Sequence, residues 1–234
     1  MKPKSLAEAT SAVGITLLVF IIIMILFNTD QINTDWITAD FHTHSNYSDG
    51  KWTTAQNADW HARQGYDAMF LTDHVFSGND SFTSPHSVVT PDILQWNANN
   101  HLQIFPSAEW TSLDVHILML NIQYWNLTVP NHPTLSDISN ATTYCHSQGG
   151  LAIVAHPAYL LNNFNMSDLL TTAGCDGIEV YNPCCGWYDA SAYNCIKTVG
   201  TDSHDSVPIR AVSRLSSPNI WQSILNHEIT NVPL

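Results

Sequence analysis

His42-Thr43-His44 and Asp49 are the residues of this chain whose types and spacing first suggest chemistry. Trp36-Ile37-Thr38 leads in with β-formers and Ser48-Asp49-Gly50 closes as a turn, so the segment is expected to be a strand running out into a turn. Residues two apart on a strand share a face, so His42 and His44 can present two imidazoles to one point. Asp49, past the strand end, can fold back to add a hard oxygen. That mixed donor set suits zinc, iron or manganese better than calcium. His-x-His is short and common, however, and alone fits two strand histidines beside an ordinary turn equally well.

Four further segments repeat the pattern of an apolar strand ending in a ligand-type residue. They are Ala68-Met69-Phe70-Leu71-Thr72-Asp73-His74, Ile104-Phe105-Pro106-Ser107-Ala108-Glu109, Leu151-Ala152-Ile153-Val154-Ala155-His156 and Thr198-Val199-Gly200-Thr201-Asp202-Ser203-His204. Near-continuous apolar runs are what strands buried on both faces look like, as in a parallel sheet or barrel covered by helices. In such folds the carboxyl ends of the strands converge on one face, where loops build the site. Helices are expected from Thr53 or Thr54 to Arg63, over Pro91 to Asn100, from Leu135 to Gly149-Gly150, over Ser167 to Ala173, near Ala190 to Cys195 and over Asn219 to Glu228. Val115 to Leu120 reads as a strand too close to Glu109 to enclose a crossover helix, which implies a hairpin-like irregularity there.

Together, His42-Thr43-His44 with Asp49, Thr72-Asp73-His74, Glu109 followed by His116, Ala155-His156-Pro157 and Gly200-Thr201-Asp202-Ser203-His204 resemble the PHP (polymerase and histidinol phosphatase) domain, in order from about Asp40 to Asp205. The resemblance implies an α/β fold, a distorted seven-stranded β/α barrel that binds two or three divalent metal ions (zinc, manganese or iron) and hydrolyses phosphate esters. Carried over, it implies that His42, His44, Glu109 and Asp202 hold one ion. Glu109 would bridge to a second held with His116 and His156, and Asp49, His74 and His204 would hold a third. Glu109 and Asp202 would be the catalytic carboxylates. Glu179 and Asn182 are expected to support the rim by hydrogen bonds.

Seven Lys plus Arg against twenty Asp plus Glu give a net charge of -13. Long nucleic acid is disfavoured as a partner, since its binding draws on basic residues that release counterions. A small anionic substrate remains allowed where bound cations reverse the local sign. Lys51 and Arg210 are the basic residues near the expected rim and the candidates for substrate phosphate. Residues 75–90 read as an irregular loop on that side.

Residues 36–234 leave room for one domain with a single core. Ahead of it, Lys2 and Lys4 precede an uncharged run from Ser11 to Phe27, within the length range of a bilayer-spanning helix. Residues 1–10 would stay cytoplasmic, 11–27 would be a transmembrane anchor or a cleaved signal peptide, and 28–35 a linker to a catalytic domain outside the membrane. An oxidising compartment would let Cys195 pair with Cys184 or Cys185, although free thiols fit as well. Sequons at Asn46, Asn79, Asn126, Asn140 and Asn165 are compatible with export.

The composite expectation is a metal-dependent phosphoesterase that cleaves a small phosphomonoester or phosphodiester with a metal-bridging hydroxide. The alternatives are a metal-dependent carboxylic or carbamate ester hydrolase and a non-catalytic metal-binding surface protein. A nuclease acting on long chains is disfavoured by the acidity.

Overall fold

The computed structural model describes residues 36–76 and 86–234. Among them the strands are β1 (Ile37–Thr43), β2 (Ala68–Leu71), β3 (His74–Phe76), β4 (His86–Ser87), β5 (Gln103–Pro106), β6 (Ala108–Thr111) and β7 (His116–Leu120). They continue as β8 (Tyr124–Trp125), β9 (Leu151–Val154), β10 (Gly177–Asn182), β11 (Gly186–Trp187), β12 (Ile196–Val199), β13 (Ala211–Leu215) and β14 (Ile229–Pro233). The helices are α1 (Thr54–Arg63), α2 (Pro91–Asn99), α3 (Leu135–Ser147), α4 (Met166–Thr171) and α5 (Ile220–Leu225).

The strands form two mixed sheets. One runs β14-β13-β1-β2-β5, the other β11-β10-β9-β7-β6-β3 with β12 paired to β10, and β4 and β8 make a separate pair. The chain passes from β2 to β3 through Thr72-Asp73 and from β5 to β6 through Ser107, so the two sheets share a kinked seam. Across the molecule a single bridge joins Thr43 to Ser203. No closed barrel results. The expected seven-stranded β/α barrel is therefore corrected to an α/β fold of two mixed sheets. The reason is local: only Ser112 to Val115 separates β6 from β7, too little for a crossover helix, so β7 runs antiparallel to both β6 and β9. β13 and β14 add an antiparallel pair beside β1.

Three apolar layers hold these sheets. Phe41, Phe70, Leu118, Ile153 and Leu215 fill the space between them, where Phe41, Phe70 and Phe105 stack at successive centroid spacings of 4.7 Å. Such ring pairs add about 0.5–1.5 kcal/mol each beyond the area they bury. The outer face of the larger sheet packs on α3 and α4 through Ile138, Ala141, Cys145 and Leu169. The outer face of the smaller sheet packs on α1 and α2 through Ala58 and Ile93. α1 starts with a capping box between Thr53 and Gln56, and α3 with one between Thr134 and Asp137. No helix forms over Ala190 to Cys195, where the chain turns, and the helix expected over Asn219 to Glu228 is shortened to α5, capped by Asn219.

The expected anchor at 11–27 lies outside the described residues, and no helix among the described residues is long and apolar enough to cross a membrane. The expectation of a single-pass membrane protein with an external catalytic domain is corrected on that finding. All five cysteines are free, so the pairing of Cys195 with Cys184 or Cys185 is not formed. Most of the loop expected over 75–90 likewise lies outside the described residues.

Candidate metal centre

Each expected ligand sits at or just beyond a strand end on one face of the molecule. His42 is in β1 and His44 one residue past it; His74 opens β3; Glu109 lies in β6; His116 opens β7; His156 follows β9; Asp202 and His204 follow β12. The structure brings all nine together around Glu109, which is fully buried. Its Oε1 lies 2.8 Å from His116 Nδ1 and 3.1 Å from His156 Nε2, and its Oε2 lies 2.7 Å from His74 Nδ1 and 3.5 Å from His42 Nε2. Asp202 Oδ1 is 3.1 Å from His44 Nε2 and 3.5 Å from His42 Nε2. Asp49 Oδ1 is 3.1 Å from His204 Nε2 and 3.6 Å from His74 Nε2.

Within this set four groups have ligand atoms mutually close enough to share an ion: Glu109, His116 and His156; His42, His44 and Glu109; His42, His156 and Asp202; and His44, Asp49, His74 and His204. His44 thus joins the cluster at Asp49 as well as the one at Glu109, a sharing that the sequence did not indicate. The floor at His42, His44 and Glu109 is closed to solvent, whereas Asp49 at 56% and His204 at 35% side-chain exposure form its open edge.

The donor set fits divalent cations. Glu109 Oε2 and the Nδ1 atoms of His44 and His156 are buried without a directed hydrogen bond, and His42 Nε2 faces His44 Nε2 at 3.0 Å. Buried polar atoms left so cost about 1–3 kcal/mol each, which a shared cation would offset. Borderline nitrogens beside carboxylate oxygens are the combination that zinc, manganese and iron take.

Electrostatics inside the cluster are strongly coupled. Burial lowers the pKa of His42, but Asp202, Glu179 and Glu109 outweigh it and hold the imidazole well above its ordinary value. Burial raises Glu109, yet His42, His116 and His156 hold it well below the usual carboxylate range. Asp202 is likewise raised by burial and driven down further by His42 and His44. His74 and His156, lowered by burial, are raised overall by Glu109.

A supporting layer fixes these side chains. Glu179 Oε1 lies 3.1 Å from His42 Nδ1, and its Oε2 accepts from the His156 backbone N–H at 2.6 Å. Asn182 Nδ2 donates to Glu179 and to Asp202. His156 at φ 27° and Asp202 at φ 51° occupy the positive-φ region that side chains rarely adopt, a strain typical of functional positions.

Sequence reasoning missed two supports. Asp40, buried, pairs with His61 of α1 at 2.9 Å and accepts from the backbone N–H groups of His42 and Thr201. Its signal was its place two residues before His42, on the same strand face. Asp73 accepts from the Ser45 backbone and from the Ser45 and Ser48 hydroxyls at 2.7 Å, tying the turn of Asp49 to the end of β2.

Of the two expected substrate residues, Lys51 stands at the rim. Its backbone N–H donates to His204 O, and its exposed ammonium pairs with Asp205. Arg210 is exposed ahead of β13 and, among the described residues, makes no ion pair.

No family model and no curated protein matches the chain. Solved structures do. A two-domain protein from Bacteroides vulgatus containing a predicted PHP-like metal-dependent phosphoesterase superposes with a TM-score of 0.62 at 17% identity, covering 84% of this chain and 64% of that one. The chain thus spans less than two thirds of that protein. A Bifidobacterium adolescentis protein assigned as a metal-dependent phosphoesterase gives 0.56 at 14% identity, covering 82% of this chain and 96% of that one. An amidohydrolase from Chromobacterium violaceum gives 0.51 at 16% identity over 82% and 97%. At these identities the likeness is one of fold, and the chain has the fold of the PHP-like metal-dependent phosphoesterases.

Proposed function

We propose that this chain is a metal-dependent hydrolase of the PHP type, a phosphoesterase that cleaves a small phosphomonoester or phosphodiester. The observation that carries the reading is the convergence of eight imidazole and carboxylate side chains with Glu109 from six strand ends. In this reading His42, His44, Asp49, His74, Glu109, His116, His156, Asp202 and His204 hold two or three divalent ions. When bound, such ions lower the pKa of water from 15.7 to near 7 and offset charge on phosphoryl oxygens.

The chain's own groups do the rest. Glu109 and Asp202, kept ionised by the surrounding histidines, supply the negative charge that fixes the cations. Glu179 sets the orientation of His42, as an outer carboxylate does for a ligating imidazole. The closed floor keeps bulk water away, and the open edge at Asp49 and His204 admits the phosphoryl group. In this reading Lys51, on that edge, meets a phosphate oxygen. Hydrolysis adds the oxygen of water to phosphorus and returns one of its protons to the departing alkoxide.

The amidohydrolase likeness favours a second reading, attack on a carboxylic or carbamate ester, because the same cations polarise a carbonyl. Protein loaded with manganese or zinc should hydrolyse p-nitrophenyl phosphate or bis-p-nitrophenyl phosphate, lose that activity with chelator and leave p-nitrophenyl acetate untouched. Turnover of the acetate alone would replace the first reading by the second; inactivity on all three would end both.

A further inference from the structure

The mouth of the centre has two unlike sides. On one side Asp49, Lys51, His204 and Asp205 make a charged edge joined by the Lys51–Asp205 pair. On the other, three large apolar side chains stand open to solvent along neighbouring strands in the order β3, β6, β7, β9. Phe76 is 43%, Leu113 59% and Tyr159 68% exposed.

Their placement ties each one to a ligand. Phe76 lies two residues beyond His74 on β3, hence on the same strand face, while Val75 between them is buried on the opposite face. It is paired in register with Thr111, whose hydroxyl lies 2.7 Å from His74 Nδ1. Leu113 sits at the tip of the β6–β7 hairpin, three residues before His116. The ring of Tyr159 meets His156 edge-on, with centroids 5.8 Å apart. The loops carrying Leu113 and Tyr159 are bound to each other, since Asn162 N–H donates to Asp114 O at 2.8 Å and Val115 bridges to Leu161. Apolar residues scattered singly over a surface are ordinary, whereas three carried by adjacent strands beside a polar centre mark a contact site.

We propose that Phe76, Leu113 and Tyr159 form a wall that receives the leaving group of the substrate, and that this group is flat and apolar, an aryl alcohol. The inference rests on the phosphoesterase reading. With the phosphoryl group in the centre and its charge facing Lys51, the organic part of a small ester projects over His116 and His156 onto the three side chains. Among the described residues no cationic side chain besides Lys51, itself paired with Asp205, is tied to the mouth, so stacking and apolar contact decide selection.

Binding and turnover test this separately. In manganese-loaded protein, 2-naphthylphosphonate should bind about tenfold more tightly than methylphosphonate by calorimetry, the scale that aromatic contact supplies. Tyr159→Ala and Phe76→Ala should each reduce that preference several-fold, Tyr159→Phe should retain it, and Tyr124→Ala, another exposed tyrosine beyond the far end of β7, should not alter it. Where hydrolysis is seen, 2-naphthyl phosphate should exceed phenyl phosphate in kcat/KM, through KM, because the two phenols leave with similar ease. Equal binding of the two phosphonates, or a preference unmoved by both alanine variants, would overturn the wall. A preference that obeys these variants in a protein that hydrolyses neither phosphate would keep the wall and refute the phosphoesterase reading alone.

Discussion

Glu109 is the residue on which the centre turns: both oxygens face imidazoles, two from one side and three from the other. Glu109→Gln keeps the shape and removes the charge, so the buried histidines lose the anion that opposes them. Metal affinity should fall by more than the 10–100-fold typical of an outer partner. Glu179→Gln, one layer out, should stay within that range while the fold persists, which a metal titration followed by thermal melting would show. The pH dependence follows from the same contacts. His42, His74 and His156 sit above the ordinary histidine value of 6.5, so binding a cation must displace protons from them. Their raised values stabilise the metal-free chain below pH 6.5, and that contribution is lost as pH rises through the folded values. Glu109 and Asp202, being depressed, contribute above the usual carboxylate range and lose it only in strong acid. The difference in Tm between loaded and metal-free protein should therefore widen from about pH 5.5 to about pH 8; a gap constant over that window would contradict the assignment of these histidines as ligands.

At the scale of elements, the strand ends were legible because a ligand-type residue closing an apolar run is a local pattern. The pairing of those strands was not. Nothing in His116-Ile117-Leu118-Met119-Leu120 states that it lies between β6 and β9 and runs against both; only the four-residue connection to β6 hinted at it. The β13–β14 pair was missed because Ile229-Thr230-Asn231-Val232-Pro233 is short and half polar, and its register is set by non-local contact with Ala211 to Leu215. Asp40 looks like an ordinary mid-strand acid and Asp73 like an ordinary strand-end one until the helix and turn they brace are in place. Gly200 shows how tightly these ends are joined. A Cβ there would fall 2.2 Å from Glu179 Oε1 and 2.4 Å from His42 Cβ. Gly200→Ala should cost about 1–3 kcal/mol of stability by overpacking and should loosen His42, lowering metal content with it. Denaturant unfolding of the metal-free variant together with its metal analysis checks both parts; wild-type metal content with wild-type stability would refute the role given to this contact.

At the scale of the whole molecule, the described residues after Asp35 form one compact unit. A fragment of residues 36–234 should fold and bind metal as the full chain does. With a net charge of -13 the chain should not bind long polyanions even at low salt. The measurement that bears most directly on the whole account is the metal content of that fragment after loading with manganese or zinc and removal of excess. Two or three ions per chain, reduced by at least one in Glu109→Gln, is the predicted result. Fewer than two in the unaltered fragment, or a content indifferent to Glu109, would contradict a shared cation cluster at these strand ends.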